Sequence, residues 1–461
     1  MSDPEKNLAE ANADFTRGRF AEAAAGYRRV LQSHPDVVAL YINLGAALRA
    51  AGDEAGAETA YRDALARQPG SALAWFNLGN LLRVGKRAEE ALAAFQKADA
   101  LQPGTPEILN NLGVQLYDLG AIRDALDCYD AALVSRSEFA DALTNRGNAL
   151  QRLSRMAEAE TAIDQALALN PDNAVYRLNK SAFLAAAGRH NEALEWADRA
   201  LAVDPGYTEA SLKRASLLIQ QGALADGFAA YEARWKIPGW HPLADSLTMP
   251  MWQGQDLAGK RLLVWNEQGF GDALLYARYL PELAARGARL TLMCEAALIG
   301  LFRQSFGESI GICDLKGPAP EADYHVSVMS LPCRLGTAIK TIPAKPAYLR
   351  ADADAVRAWR DELRERTGDK LAVGLIWAGN PGQSHDYSRS MAAETAAPLL
   401  ENDGICFFNL LIGPRGNLWR DPRLIDVRDR LGDFAATAAL MAALDLVISV
   451  DSAPAHLAGA L

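Results

Sequence analysis

The chain has little of what would mark several large classes of protein. Its 461 residues include five cysteines, Cys128, Cys294, Cys313, Cys333 and Cys406, with no Cys-x-x-Cys pair among them. An odd, scattered set does not build a disulfide framework, so the thiols point to a reducing compartment. The six histidines lack metal-ligand spacing, and no metal site is expected. Lysine and arginine number 47 against 57 acidic residues, a formal charge of −10. No basic excess is left to neutralise a phosphate backbone, which excludes a general nucleic-acid binder and leaves room only for a local diphosphate pocket. No apolar run reaches the length of a membrane span, and the first ten residues lack the basic and apolar regions of a secretory signal. A cytoplasmic protein is expected. Half the residues are hydrophobic, so a core is readily buried, and the length implies at least two domains.

What is present begins with self-similarity. Alanines recur every 34 residues at Ala23, Ala57, Ala91, Ala125, Ala159 and Ala193. Four residues after the first five stand Tyr27, Tyr61, Phe95, Tyr129 and Ile163, and Pro35, Pro69, Pro103, Pro171 and Pro205 close most units. Gly45, Gly79, Gly113 and Gly147 recur in the same phase. Small residues let two antiparallel helices approach, the aromatic fills space against the next hairpin, and proline ends the second helix. The pattern resembles the tetratricopeptide (TPR) family. It implies an α-solenoid, a TPR superhelix, over residues 4–237, with six repeats to about residue 205 and a weaker seventh carrying Gly222 and Tyr231.

A second ladder has the same period: Asn43, Asn77, Asn111, Asn145 and Asn179, each two residues before the small residue of the first helix. Carboxamides can donate to and accept from an extended peptide without reading its side chains. The row resembles the asparagine ladder of the O-GlcNAc transferase superhelix and implies a polypeptide held in the groove. The alternative is that asparagine is simply common at this place in the repeat and bonds within its own repeat.

Residues 238–258 break the helical pattern with Pro238, Gly239, Pro242 and Pro250. The tryptophans Trp235, Trp240 and Trp252 there read either as a ligand platform or as packing at the junction. From Gly259 the grammar is that of an α/β domain. Strands are expected at 261–265, 288–294, 323–332, 371–380, 405–411 and 445–452, in two halves, 259–345 and 368–461.

Three loops at the carboxyl ends of these strands could hold ligands. In Gly269-Phe270-Gly271-Asp272, two glycines allow close approach and Asp272 falls at a helix start, either as a proton acceptor or as a plain cap. In Trp377-Ala378-Gly379-Asn380-Pro381 followed by Asp386-Tyr387-Ser388-Arg389-Ser390, small residues leave room and Arg389 could clamp a phosphate or simply be solvated. In Asp451-Ser452-Ala453-Pro454-Ala455-His456, Ser452 can cap a helix whose first turn suits a diphosphate, with His456 facing it or serving structure alone.

Read together, these loops resemble the heptosyltransferase-like glycosyltransferases of family 9 type. The matching residues are GFGD, Arg278 to Pro281, Met329 to Pro332, WAGNP, Arg389-Ser390, Asp433 to Thr437 and DSAPAHLAGAL. The resemblance implies a GT-B fold of two Rossmann-like halves, with the second apparently shortened at Leu461. It implies a metal-independent transferase without a cofactor, using a nucleotide sugar as co-substrate. Asp272 falls on the family's catalytic base; Gly271, Asn380, Arg389, Asp451, Ser452 and His456 fall on or beside its donor site. Arginine at 389 replaces a lysine, and Ala453 replaces a glycine. The expected acceptor is a protein side-chain hydroxyl presented by the TPR groove; the rival expectation is a TPR scaffold with a degenerate transferase domain.

Overall fold

A computed structural model describes residues 4–343, 347–382 and 386–461, apart from the side chains of Tyr387, Ser388 and Pro414. Residue 345, the expected end of the first half, and Tyr387 and Ser388 of the second loop therefore lie outside the described residues or side chains. The chain forms two compact units, Met1–Leu217 and Leu218–Leu461.

The first unit is built from helical hairpins: α1 (Pro4–Thr16) with α2 (Phe20–Ser33), α3 (Val38–Ala50) with α4 (Glu54–Arg67), α5 (Ala72–Val84) with α6 (Ala88–Leu101), α7 (Pro106–Asp118) with α8 (Ile122–Ser135), α9 (Ala140–Arg152) with α10 (Met156–Leu169), and α11 (Ala174–Ala186) with α12 (His190–Val203). The second helices begin at Phe20, Glu54, Ala88, Ile122, Met156 and His190, in steps of 34. The six repeat alanines, Ala23 to Ala193, are fully buried. A Cβ added at Gly45, Gly79, Gly113 or Gly147 would lie 2.5–2.8 Å from Tyr61, Phe95, Tyr129 or Ile163 respectively. The aromatic thus lies on the glycine of its own hairpin, which corrects the expectation that it fills space against the next one. At the sixth repeat Ser181 replaces the glycine, Ala197 replaces the aromatic, and the Ser181 hydroxyl donates to Ala193 O at 2.7 Å.

The turn inside each hairpin needs a residue in the left-handed region. Gly18, Gly52, Gly120, Gly188 and Gly222 supply it at φ 76–85°, while Lys86 and Ser154 hold the equivalent places at φ 58° and 60°. Adjacent hairpins are joined in two ways. Leu44, Leu78 and Leu112 are buried at one 34-spaced position. The next three places in that series are Arg146, Lys180 and Arg214, paired with Asp130, Asp164 and Asp198 at 2.6, 2.7 and 2.6 Å.

Helix α13 (Thr208–Gln220) spans the boundary of the two units, and α14 (Leu224–Tyr231) belongs to the second. The division at Leu217 falls before the expected boundary at 237. Its physical reason is that the segment after α14 packs into the sheet that follows. Arg234 is fully buried there, and a fully buried guanidinium must be surrounded by acceptors.

The second unit holds two four-stranded parallel sheets. β1 (Arg261–Trp265), β2 (Arg289–Cys294), β3 (Gly311–Asp314) and β4 (Tyr324–Ser327) lie in the order β3-β2-β1-β4. β5 (Leu371–Ile376), β6 (Ile405–Asn409), β7 (Leu424–Asp426) and β8 (Leu446–Ser449) repeat it as β7-β6-β5-β8. Each order reverses beside its first strand, so each sheet has a switch point, β1/β4 and β5/β8, where ligands of open α/β sheets bind. Edge strands β3 and β7 were not expected from sequence; they are four and three residues long.

The tryptophans expected at the junction do not form a platform. Trp252 is buried and donates to Gln255 O at 2.8 Å, Trp240 Nε1 donates to Glu267 at 2.7 Å, and Trp235 packs edge-on against Trp265 at 6.0 Å. The Trp265 indole donates to His325 Nδ1 at 3.2 Å and lies 4.6 Å from the His241 ring. Burial lowers the pKa of both histidines from the ordinary 6.5; at His241 the charges of Glu267, Asp245 and Glu295 oppose the effect.

Two outcomes follow. Gly113→Val drives a side chain into Tyr129 and is expected to cost about 1–3 kcal/mol in urea unfolding. For the histidines, the unfolded chain takes up protons first as pH falls below 6.5. Their contribution is intact above that pH and is lost as pH falls toward the depressed folded values. The urea midpoint of the second unit should therefore drop between pH 7.5 and 5.5, and drop less in His241→Asn.

Candidate functional site

The first loop leaves β1 at its carboxyl end and enters the helix Phe270–Tyr276. Gly269 is the cap residue and Asp272 sits in the first turn, where its carboxyl accepts from the Gly269 amide. Asp272 is thus both a local cap partner and a half-buried acid facing the second half. Burial raises its pKa; His456 opposes this, Glu267 and Asp451 reinforce it, and the Gly269 bond opposes it. A carboxyl with a raised pKa is a better proton acceptor than an ordinary one.

The third loop meets the first. A Cβ at Gly271 would stand 3.0 Å from His456 Cδ2 and 3.5 Å from Ala453 Cα, so only glycine lets the two helix starts approach this closely. His456 Nε2 lies 4.0 Å from Asp451 Oδ1. Ser452 occupies the cap of the helix Ala453–Ala460, but its hydroxyl does not cap an amide. It donates to Val450 O at 3.1 Å and shares a 3.1 Å contact with Ser449, which corrects the capping expectation.

In the second loop, Asp386 is buried and becomes a hub. Its carboxylate takes the Ser390 hydroxyl at 2.7 Å and a close ion pair from Arg415, with Arg389 Nε at 3.7 Å. Burial works to raise the Asp386 carboxyl, and Ser390, Arg415 and Arg389 together hold it below the usual range. Gly379 lies against this group: a Cβ there would meet Asp386 at 2.9 Å and Arg389 Nε at 3.1 Å. Arg389 is therefore partly enlisted by a carboxylate, although its Nε is buried and makes no hydrogen bond. Asn380 turns its carboxamide oxygen to the Gly382 amide at 3.0 Å. Sequence reasoning missed Arg415. Its signal was faint, a lone arginine after Gly413-Pro414 at the end of β6.

All three loops border one cleft of about 450 Å³ at the carboxyl ends of β5, β6 and β8. Phe270 of the first loop, Gly379 and Asn380 of the second, Ser452 of the third and Arg415 line it. Asp433 and Phe434 close one side. The lining is mostly apolar with a few polar groups, the usual make-up of a small-molecule site. Among the described residues no group of three or more His, Cys, Asp and Glu side chains could hold a metal ion.

In the array, the asparagine ladder divides. Asn111 donates to Asn80 at 2.9 Å and Asn145 to Asn110 at 2.9 Å, so these two bond across to the preceding hairpin, which corrects the alternative that each bonds within its own repeat. Asn43 is exposed and Asn77 and Asn179 are half-buried; their side chains make no hydrogen bond among the described residues. Consequently Asn145→Ala, which orphans the buried Asn110 carbonyl, should lower array stability by about 1–3 kcal/mol. Asn43→Ala should stay within about 0.5 kcal/mol of wild type in the same denaturant titration.

Comparison with known proteins bears on the array. A tetratricopeptide-repeat family model matches residues 8–72, 47–106, 110–174 and 144–208. Protein FlbA of Caulobacter vibrioides is 30% identical over 285 residues, covering 54% of this chain and 46% of its own length. The chain thus spans less than half of that curated relative. Among solved structures, Cut9–Hcn1 of an APC/C hetero-tetramer is 21% identical with a TM-score of 0.43, covering 47% of this chain and 43% of its own. A tetratricopeptide repeat protein from Parabacteroides merdae ATCC 43184 is 15% identical with a TM-score of 0.46, covering 51% and 93%. The N-terminal region of this chain, residues 8–208, is a tetratricopeptide-repeat array, the architecture of a protein-interaction scaffold.

Proposed function

We propose that the chain is a glycosyltransferase of GT-B type. It moves a sugar from a nucleotide-activated donor to an acceptor, a protein side-chain hydroxyl delivered by the repeat array. The observation that carries the reading is the cleft itself. It lies at a switch point and is bordered by all three loops; Asp272, Arg389, Asp451 and His456 stand beside it rather than in its lining, with Gly271 packed against His456. The donor's diphosphate would lie between Arg389 and the start of the helix Ala453–Ala460, with Arg415 as a second cation at the cleft wall. Asp272 would take the proton of the attacking hydroxyl as the sugar–phosphate bond breaks and the nucleoside diphosphate leaves. No metal or cofactor is required by this scheme.

A second reading has specific support. Arg389 and Arg415 both engage Asp386, and the Ser452 hydroxyl is satisfied by Val450, so part of the donor set is already occupied. In that case the α/β unit is an architectural partner of a scaffold. Transfer to a glycan or lipid acceptor, with the array only docking the enzyme, is the remaining variant.

Calorimetric titration with a panel of nucleotide sugars separates the readings. One donor should bind saturably and lose binding in Asp451→Ala and His456→Ala; no binding by folded protein favours the scaffold. With a donor in hand, Asp272→Asn should abolish turnover and spare donor affinity, and near-normal turnover would sink the base assignment. A base acts when deprotonated, and burial raises Asp272 above its ordinary 3.8. Turnover should therefore rise with pH through a midpoint above that value.

A further inference from the structure

The first sheet has its own switch point at β1/β4, and there the chain has placed one of its own side chains. Arg234 is fully buried at the carboxyl ends of these strands. Its Nε and Nη2 donate to the two oxygens of Glu267 at 2.7 and 2.9 Å, in fork-to-fork geometry. The remaining capacity goes to Glu232 at 2.7 Å, Tyr231 O at 3.2 Å and Ser330 at 2.7 Å. Glu267 is held further by Trp240 at 2.7 Å and by the Ser327 hydroxyl.

Glu267 is two residues before Gly269, where the turn into the Asp272 helix begins. On the side away from the Arg234 segment, the Phe270 ring packs edge-on against Phe434 at 5.1 Å and Asn266 donates to Glu295 at 2.9 Å. Gln268, Gly269 and Phe270 are exposed, and nothing lies within 4 Å of a Cβ built on Gly269. Gln268 makes one tie, from its Nε2 to the Tyr231 hydroxyl at 3.2 Å, and accepts the Asn266 carboxamide at 2.6 Å through its backbone oxygen. The segment Tyr231–Trp240 supplies ties at both Glu267 and Gln268, and Ser327 of β4 adds another at Glu267.

We propose that Arg234 is a positioning residue for Asp272, acting through Glu267 to fix the turn that carries the acid toward the second half. The inference rests on the reading of Asp272 as the base. A buried ion pair is not needed for cohesion alone, since apolar side chains of similar volume hold a segment at least as firmly. What a planar fork adds is direction: it fixes the orientation of the carboxylate and hence the path of the backbone leaving it. The same arrangement places Arg234 and Glu267 at the switch point of the first sheet.

The test measures Asp272 directly. Protein carrying 13C at the aspartate carboxyls is titrated by NMR, with the Asp272 resonance identified by its loss in Asp272→Asn. The groups facing Asp272 are His456 and Asp451 from the second half, Glu267 from its own strand end, Tyr276 from its own helix and Tyr231; all are unchanged in Arg234→Lys and Arg261→Ala. Arg234→Lys keeps the charge and removes the fork. Tyr231→Phe removes the acceptor of Gln268, and Arg261→Ala is a surface ion-pair control at the start of β1. In Arg234→Lys the loosened turn admits water, and the Asp272 midpoint should fall by about one pH unit, tenfold in dissociation constant. Tyr231→Phe should shift it less in the same direction, and Arg261→Ala not at all. Folded Arg234→Lys in which Asp272 titrates as in wild type overturns the proposal; if that variant does not fold, Gln268→Ala, which removes the Tyr231 tie from the turn's own side, decides by the same criterion. The titration needs no substrate, so a wild-type protein that transfers no sugar defeats the base assignment while the positioning result stands on its own. Where transfer is found, kcat should fall about tenfold in Arg234→Lys with KM unchanged.

Discussion

A guanidinium removed from water has to be met on every side by acceptors, and in this chain that demand organises the end of a sheet. Arg234 draws Glu267 from the end of β1, Ser330 from just beyond β4 and Glu232 from its own segment; Glu232 in turn accepts from Arg334. Each partner is itself buried or nearly so, which leaves these groups few alternative pairings. Because β1 and β4 flank the switch point, whatever fixes their ends also fixes where the loops leave the sheet. The Gly269–Asp272 turn begins two residues beyond Glu267 and so leaves the sheet from that arrangement.

The array answers a different constraint, the close approach of two helices. Four hairpins meet it by deleting a side chain opposite a ring or an isoleucine, and the sixth meets it by a hydroxyl that bonds to the facing backbone. These solutions share a spacing and little else, which is how a solenoid tolerates variation from unit to unit while keeping its period.

Periodicity was the most legible property of the sequence. The 34-residue recurrence of alanine, glycine and proline located every hairpin, because a close approach leaves few residue choices. The central strands were legible as apolar runs, whereas β3 and β7 were not: Gly311–Asp314 and Leu424–Asp426 are short and half-polar, as edge strands often are. Beside the cleft, Gly271, Asp272 and His456 could be singled out because glycine, a helix start and a histidine coincide. Arg415 could not, since its place beside Asp386 is set by two loops that only the fold brings together. The asparagine ladder shows the limit of pattern alone. Five identical residues at identical spacing have different partners, because Asn80 and Asn110, off the ladder, stand beside some rungs and not others.

The joints between hairpins carry a further consequence. Leu44, Leu78 and Leu112 sit where the later repeats have Arg146, Lys180 and Arg214, each bound to an aspartate of the preceding hairpin. Ionic strength screens partly exposed charge pairs and scarcely touches buried leucine. These three ionic joints therefore answer to ionic strength in a way that the three leucine joints at the equivalent places do not.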